Sequence, residues 1–208
     1  MSYLVCHYRQ NALTYKEIFP LIQSNQIWLG SDIGQHTFIV PQTYEGNNVV
    51  IASDGTKFAS FGNIVWFTNM DFKKRHDEYY GFRKYYDNPK FYLKYDNYDA
   101  IEVNPFKEIP TDYIGTMGIP ITALGKLSPE QFEIIGMAKR GAGDPALKSK
   151  VYTKEDYPNY SDLNAGPTIW CDGVLKNTYP RILIRYSNKW ITSHPVDFEK
   201  THQTGGID

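Results

Sequence analysis

Between residues 37 and 69 the apolar side chains fall in short runs: Phe38-Ile39-Val40, Val49-Val50-Ile51-Ala52, Lys57-Phe58-Ala59 and Ile64-Val65-Trp66-Phe67. Runs of this length, rich in β-branched and aromatic residues, read as strands arranged in hairpins. Asp54-Gly55 separates two of them, and glycine takes the positive φ that a type I′ turn demands. The last run leads into Thr68-Asn69. Asn69 therefore stands at the carboxyl end of a strand, where open α/β sheets place their ligands, and is a candidate for the rim of a site.

The segment before these runs predicts a strand over 3–8, then a helix opened by Thr14-Tyr15-Lys16-Glu17, a T-x-x-E capping box. Ile18, Leu21 and Ile22 share a face of that helix, and Pro20 keeps it short or kinks it. Gln26-Ile27-Trp28-Leu29-Gly30 reads as the next strand and completes a βαβ-like unit of the kind found in parallel sheets. Further on, residues 95–103 form a polar loop entering a strand. Ser128-Pro129-Glu130-Gln131 predicts a second helix that stops near Gly136, with Ser128 as cap and Pro129 at the first helical position. The 139–177 stretch, rich in Gly, Asp, Asn and Pro, reads as surface loops, and Arg181-Ile182-Leu183-Ile184-Arg185 as a final strand. With 208 residues, 41% hydrophobic and 22% charged, the chain suits a single α/β domain over 1–192 followed by a frayed tail over 193–208.

Little in the residues announces chemistry. The two cysteines, Cys6 and Cys171, lack Cys-x-x-Cys spacing and read as plain thiols. His7, His36, His76, His194 and His202 show no metal-ligand spacing and no fixed carboxylate partner, so no metal site is expected. Gly141-Ala142-Gly143-Asp144 lacks the lysine and third glycine of a phosphate loop. Asp99, Glu102 and Lys107 are the nearest approach to a nuclease's carboxylates and lysine, at unconvincing spacing. The start has no basic flank or long apolar stretch, and the expected location is the cytoplasm.

A net charge of -1 does not mark a nucleic-acid binder. Within 73–94, however, Lys73, Lys74, Arg75, Arg83, Lys84, Lys90 and Lys94 face only Asp77, Glu78 and Asp87, with seven aromatic residues interleaved. Basic and aromatic side chains together suit stacking on bases over a phosphate-binding groove. A solvated helix carrying a few core aromatics accounts for the same pattern. Asn104-Pro105-Phe106 is one proline short of the Asn-Pro-Pro-Phe tetrapeptide of amino-methyltransferases and reads as a loop turn.

Seven stretches in order resemble the adenine-specific DNA methyltransferases related to the EcoRI modification enzyme. They are 11–19 (Asn-Ala-Leu-Thr-Tyr-Lys-Glu-Ile-Phe), 27–30, 66–71 (Trp-Phe-Thr-Asn-Met-Asp), 94–101 (Lys-Tyr-Asp-Asn-Tyr-Asp-Ala-Ile), 109–122, 129–133 and 181–184. Before Asn11 the likeness is poor, since His7-Tyr8-Arg9 replaces a strand ending in a small residue and Asn. The resemblance implies methyl transfer from S-adenosylmethionine to N6 of a flipped adenine in duplex DNA. It also implies that the donor-binding strands and the Asn-Pro-Pro-Phe motif precede the strand at 3–8. The fold expected is thus the C-terminal part of a Rossmann-like methyltransferase sheet with β-hairpin additions and a loop-rich DNA-facing region. No catalytic or donor-binding residue is carried over, and S-adenosylmethionine is not expected to bind this chain alone. The expected function is that of a fragment or subunit, inactive alone and a relic or a partner of a separately encoded N-terminal half. The alternative is a non-catalytic DNA-binding module. The DNA-contact candidates are Lys73, Lys74, Arg75, Arg83, Lys84 and Lys94, with Tyr95 and Asn97 at base edges or in loop structure, and Asn11 beside Asn69 at a site rim.

Overall fold

A computed structural model describes residues 4–7, 13–33, 35–62, 64–139, 147 and 149–195, with the backbone alone for 4–7 and 31–33. The sheet closest to the amino end has the order β1 (Leu4–His7), β6 (Val65–Thr68), β2 (Trp28–Ile33). Both outer strands pair antiparallel with β6, Leu4 and Trp28 lying opposite Thr68 on its two sides. Helix α1 (Phe19–Gln23) therefore connects two strands that run the same way, but β6 separates them. The expected βαβ unit is corrected in this respect: β1 and β2 are not neighbours.

The capping box at Thr14 does not form. A turn occupies residues 15–18, Ile18 takes the cap position without a side-chain bond, and Pro20 falls in the first turn, where its missing N–H has no helical partner to lose. Phe19 and Ile22 are buried. Thr14 instead accepts a hydrogen bond from the Lys139 ammonium at 3.1 Å, a partner 125 residues away.

β3 (His36–Ile39), β5 (Lys57–Phe61) and β4 (Val49–Ile51) form a second antiparallel sheet in that order. The turn at Asp54-Gly55 exists, but only Gly55 has positive φ, at 82°, and its amide bonds to the Ala52 carbonyl. That is a three-residue loop with glycine in the left-handed position, not the expected type I′ turn. β6 follows this sheet in sequence yet leaves it to join β1 and β2.

The largest sheet runs β7 (Ile101–Glu102), β8 (Met117–Pro120), β12 (Arg181–Tyr186), β9 (Phe132–Ala138). β12 lies between β8 and β9, antiparallel to both, with Ile182 and Ile184 wholly buried and Leu183 2% exposed. A continuous apolar run is what a strand covered on both faces requires. β9 replaces the expected helix at 128–136. Gln131 and Phe132 turn back onto the Ser128 carbonyl, and Ile134 and Met137 then pair with Ile184 and Ile182. Pairing with β12 outweighs the local capping signal.

One core joins this sheet to the first, from Leu13, Phe19, Ile22, Leu29 and Phe67 to Ile101, Met117, Ile119, Ile182 and Ile184. The 139–177 stretch is not all loop. It contains α2 (Tyr160–Leu163) and a hairpin of β10 (Thr168–Cys171) with β11 (Val174–Asn177), closed by Asp172 and Gly173 at φ 51° and 75°. Two successive positive φ values are those of a type I′ turn. The last element, α3 (Asn188–Ser193), is capped by Ser187, whose hydroxyl accepts from the Trp190 amide. No helix among the described residues is long and apolar enough to cross a membrane.

Candidate nucleic-acid interface

The 73–94 segment is not a helix. Apart from single 3-10 turns at Lys73–His76 and Pro89–Phe91 it is irregular, and its backbone is held by side chains from other elements. The buried Gln131 amide accepts from the Tyr79 N–H at 2.7 Å and donates to the Tyr79 carbonyl at 2.9 Å, as a neighbouring strand would. Buried Asp112 accepts from the Tyr85 N–H at 2.6 Å, and the Thr111 N–H donates to the Arg83 carbonyl at 3.0 Å. Tyr79 donates to the Lys107 carbonyl at 2.8 Å and Tyr92 to the Glu108 carbonyl at 2.9 Å. Burial first, then Tyr92 and Glu108 around Tyr79 and Glu108 beside Tyr92, pushes both phenols up to about 12, so they remain donors at neutral pH.

With Tyr79, Tyr85 and Tyr92 turned inward, three other aromatic residues of the segment face out. Tyr80 is 83% exposed, Phe82 70% and Phe91 47%. Lys73, Lys74, Lys84, Lys90 and Lys94 are also exposed. The Arg83 guanidinium lies 5.2 Å from the Phe82 ring and 5.1 Å from that of Phe91, while its Nε donates to Glu108 at 2.6 Å. A cation between two exposed rings offers stacking and charge in one place.

The other candidates face elsewhere. Arg75 lies 3.7 Å over the Trp28 ring, with Asp71 at 3.3 Å and a hydrogen bond to Asn25, and its side chain is 10% exposed. Tyr95, 6% exposed, donates to Glu102, and Glu102 also holds Arg181 through Nε at 3.0 Å and Nη2 at 2.5 Å. Asn97, 5% exposed, donates to the Gly166 carbonyl and accepts from the Thr168 N–H at 2.8 Å. Of the two roles open to Tyr95 and Asn97, the geometry is that of loop structure, because neither side chain has a face toward solvent. Asp96 beside them accepts from Lys150 and Tyr152 at 2.7 Å each and from Trp170 at 3.0 Å; the Lys150 bond first, then that of Trp170, holds its carboxyl at about 2. Asn69 is half-buried just past the end of β6, and Asn11 lies outside the described residues.

His76 has the carboxylate partners that spacing did not reveal. Its ring nitrogens lie 2.8 Å from Asp71 and 2.8 Å from Glu130, five and fifty-four residues away. Asp99, Glu102 and Lys107 do not gather as a nuclease site, since Glu102 is committed to Arg181 and Tyr95. Among the described residues no group of three histidine, cysteine or acidic side chains is placed to hold a metal.

A family model described as adenine-specific methyltransferase EcoRI matches residues 2–187. The chain belongs to the EcoRI adenine-specific methyltransferase family. It is 50% identical over 133 residues to the type II methyltransferase M.EcoRI of Escherichia coli, covering 62% of this chain and 41% of that protein. The type II methyltransferases M.MgeORF184P of Mycoplasma genitalium and M.MpnI of Mycoplasma pneumoniae are 33% and 30% identical over 181 and 180 residues. Each of those alignments covers 84% of this chain, and 54% and 53% of the two proteins. The chain thus spans about half the length of these relatives. No solved structure matches it.

Methyltransferases generally draw on S-adenosylmethionine, a cationic sulfonium whose ribose hydroxyls are suited to a carboxylate partner. Two of the clefts lined by described residues offer no free carboxylate to it. The larger, about 670 Å³, is lined by Lys139 and Arg181 and by no acidic residue. The smaller, about 350 Å³, includes Glu133, whose carboxylate is engaged by Arg185 at 2.9 Å.

Proposed function

We propose that these residues form the DNA-engaging part of a site-specific DNA adenine-N6 methyltransferase of the restriction-modification type, and that they do not methylate by themselves. The observation that carries this reading is a family match over 2–187 in a chain that contains no Asn-Pro-Pro-Phe tetrapeptide. That tetrapeptide does the chemistry's positioning: its Asn side chain and a proline carbonyl accept hydrogen bonds from the exocyclic amine of the extruded adenine, and its aromatic ring stacks on the base. Asn104-Pro105-Phe106, one proline short, cannot reproduce that geometry. The base pocket and the S-adenosylmethionine site then belong to further residues, on the same polypeptide or on a separately made N-terminal half. β1 supports such a partner. Among the described residues it pairs only with β6, so no described strand covers its other edge, where another strand could add.

The DNA-contact surface in this reading is the outward face of 73–94: Lys73, Lys74, Lys84 and Lys94 on phosphates, Arg83 with Phe82 and Phe91 beside them. Because that face stands without the donor site, a non-catalytic DNA-binding module is the second reading. Transfer of labelled methyl groups to duplex DNA separates the two. Under the first, the purified chain gives no transfer and no calorimetric heat with S-adenosylmethionine, and adding the amino-terminal half of a relative restores transfer; under the second, nothing is restored although DNA is bound. Methylation by these residues alone would overturn both.

A further inference from the structure

Beyond the exposed face of 73–94, the molecule has a groove in which every polar side chain among the described residues is of a kind that contacts phosphate. Its two halves are cavities of about 670 and 390 Å³ that share Asn104, Pro120 and Thr122. Lys139 and Arg181 line the first, Lys107 and Lys126 the second, and among the described residues no aspartate or glutamate lines either. The charges are not equivalent. Arg181 is neutralised by Glu102, whereas Lys107, Lys126 and Lys139 are in no ion pair among the described residues. Lys126 lies 5.8 Å over the Phe106 ring and Lys139 donates to Thr14, so both are positioned by contacts that are not ion pairs. At the rim Tyr179 is 84% and Tyr15 49% exposed.

We infer that this groove binds one strand of the DNA backbone, as a second phosphate-contact surface. Resting on the reading above, it deepens that reading by extending the contact to residues drawn from 14 to 181. Lysine, threonine, asparagine and tyrosine are the side chains that take phosphate oxygens, and an uncompensated row of cations is the electrostatic footprint of a polyanion. A small anion would need one compact nest. A groove made of two adjoining cavities of about 670 and 390 Å³, with separated lysines, suits successive phosphates of a strand. It also adjoins the 73–94 face: Tyr79, an anchor of that segment, donates to the Lys107 carbonyl, and its ring lies 4.9 Å from that of Phe106.

The test uses the full chain and a fluorescein-labelled duplex of mixed sequence, with binding followed by anisotropy at several salt concentrations. In the Lys107→Ala/Lys126→Ala variant, affinity falls roughly tenfold and the slope of log affinity against log salt drops by about two. Lys107→Arg/Lys126→Arg restores both, whereas Lys107→Gln/Lys126→Gln, which keeps a long side chain beside Phe106 without the charge, stays as weak as the alanine variant. Unchanged affinity and slope in the alanine variant, with a Lys73→Ala/Lys74→Ala/Lys84→Ala variant weakened, would overturn the groove and leave the proposed function standing. Wild-type chain that binds no duplex at any salt overturns the DNA-engaging reading itself, and the groove with it.

Discussion

At the scale of single residues, the partners that matter are distant in sequence. His76 titrates above its ordinary 6.5 because Asp71 first, and then Glu130, hydrogen-bond its ring. Asp71 lies below 3.8 through His76; Glu130, which burial alone would raise, lies below 4.5 through His76 and Ser128. The stabilisation from the raised histidine is fully present below pH 6.5 and is lost as pH rises through its higher folded value. That from the lowered carboxylates is lost as pH falls through values under 4.5 and 3.8. A His76→Asn variant therefore melts below wild type by the widest margin at about pH 5.5, by roughly 2 °C for so exposed a site, and the gap closes toward alkaline pH. Calorimetric melting from acid to alkali checks it; a margin independent of pH rules the pairing out. Gly118 is the opposite case, a residue defined by what cannot be added. A Cβ there would run into the Tyr95 ring, which is buried and tied to Glu102. Gly118→Ala is expected to cost about 1–3 kcal/mol, read by urea denaturation.

At the scale of elements, Gln131 shows how one side chain can stand in for a strand. Gln131→Leu leaves both backbone groups of Tyr79 without partners, at about 1–3 kcal/mol for each group left buried. The expected signature is faster amide exchange over 79–86 with β12 still protected; uniform loss across the chain would mean the clamp is not local. The β10–β11 hairpin makes the complementary prediction. Gly173 sits at φ 75°, so Gly173→Val costs on the order of 1–2 kcal/mol and loosens 168–177 before the main sheets. Both elements also mark where reading the sequence fell short. Asp172-Gly173 carries the same turn signal as Asp54-Gly55, but it lay in a stretch without apolar periodicity. Ser128-Pro129-Glu130-Gln131 has a helix's opening residues, yet the Gln131 side chain bonds to Tyr79, 52 residues away, instead of capping its own helix.

At the scale of the whole molecule, two sheets share one core, and the cations are not spread evenly over its outside. The exposed lysines of 73–94 and the uncompensated ones of the groove lie on adjoining ground, although the chain as a whole carries a net charge of -1. The edge of β1 has a consequence for solution behaviour. Concentrated protein is expected to self-associate through it, and Val5→Pro, removing a backbone N–H from that strand, reduces the association seen by size-exclusion chromatography. A monodisperse wild-type monomer that melts cooperatively would count against an incomplete sheet.

The sequence by itself determined the family, the strands at 4–7, 65–68 and 181–186, and the basic aromatic segment, because each is a local pattern of residue types. Tertiary structure alone decided which way those side chains face. Lys84 and Phe82 point outward because Tyr79 and Tyr85 are pinned inward by Gln131 and Asp112. Arg75, equal to its neighbours in charge, is taken from the surface by Trp28 and Asn25. The groove was invisible for the same reason: its cations are separated in sequence, and only the pairing of β8 with β12, whose ends line one cavity with Thr14, brings them to one surface.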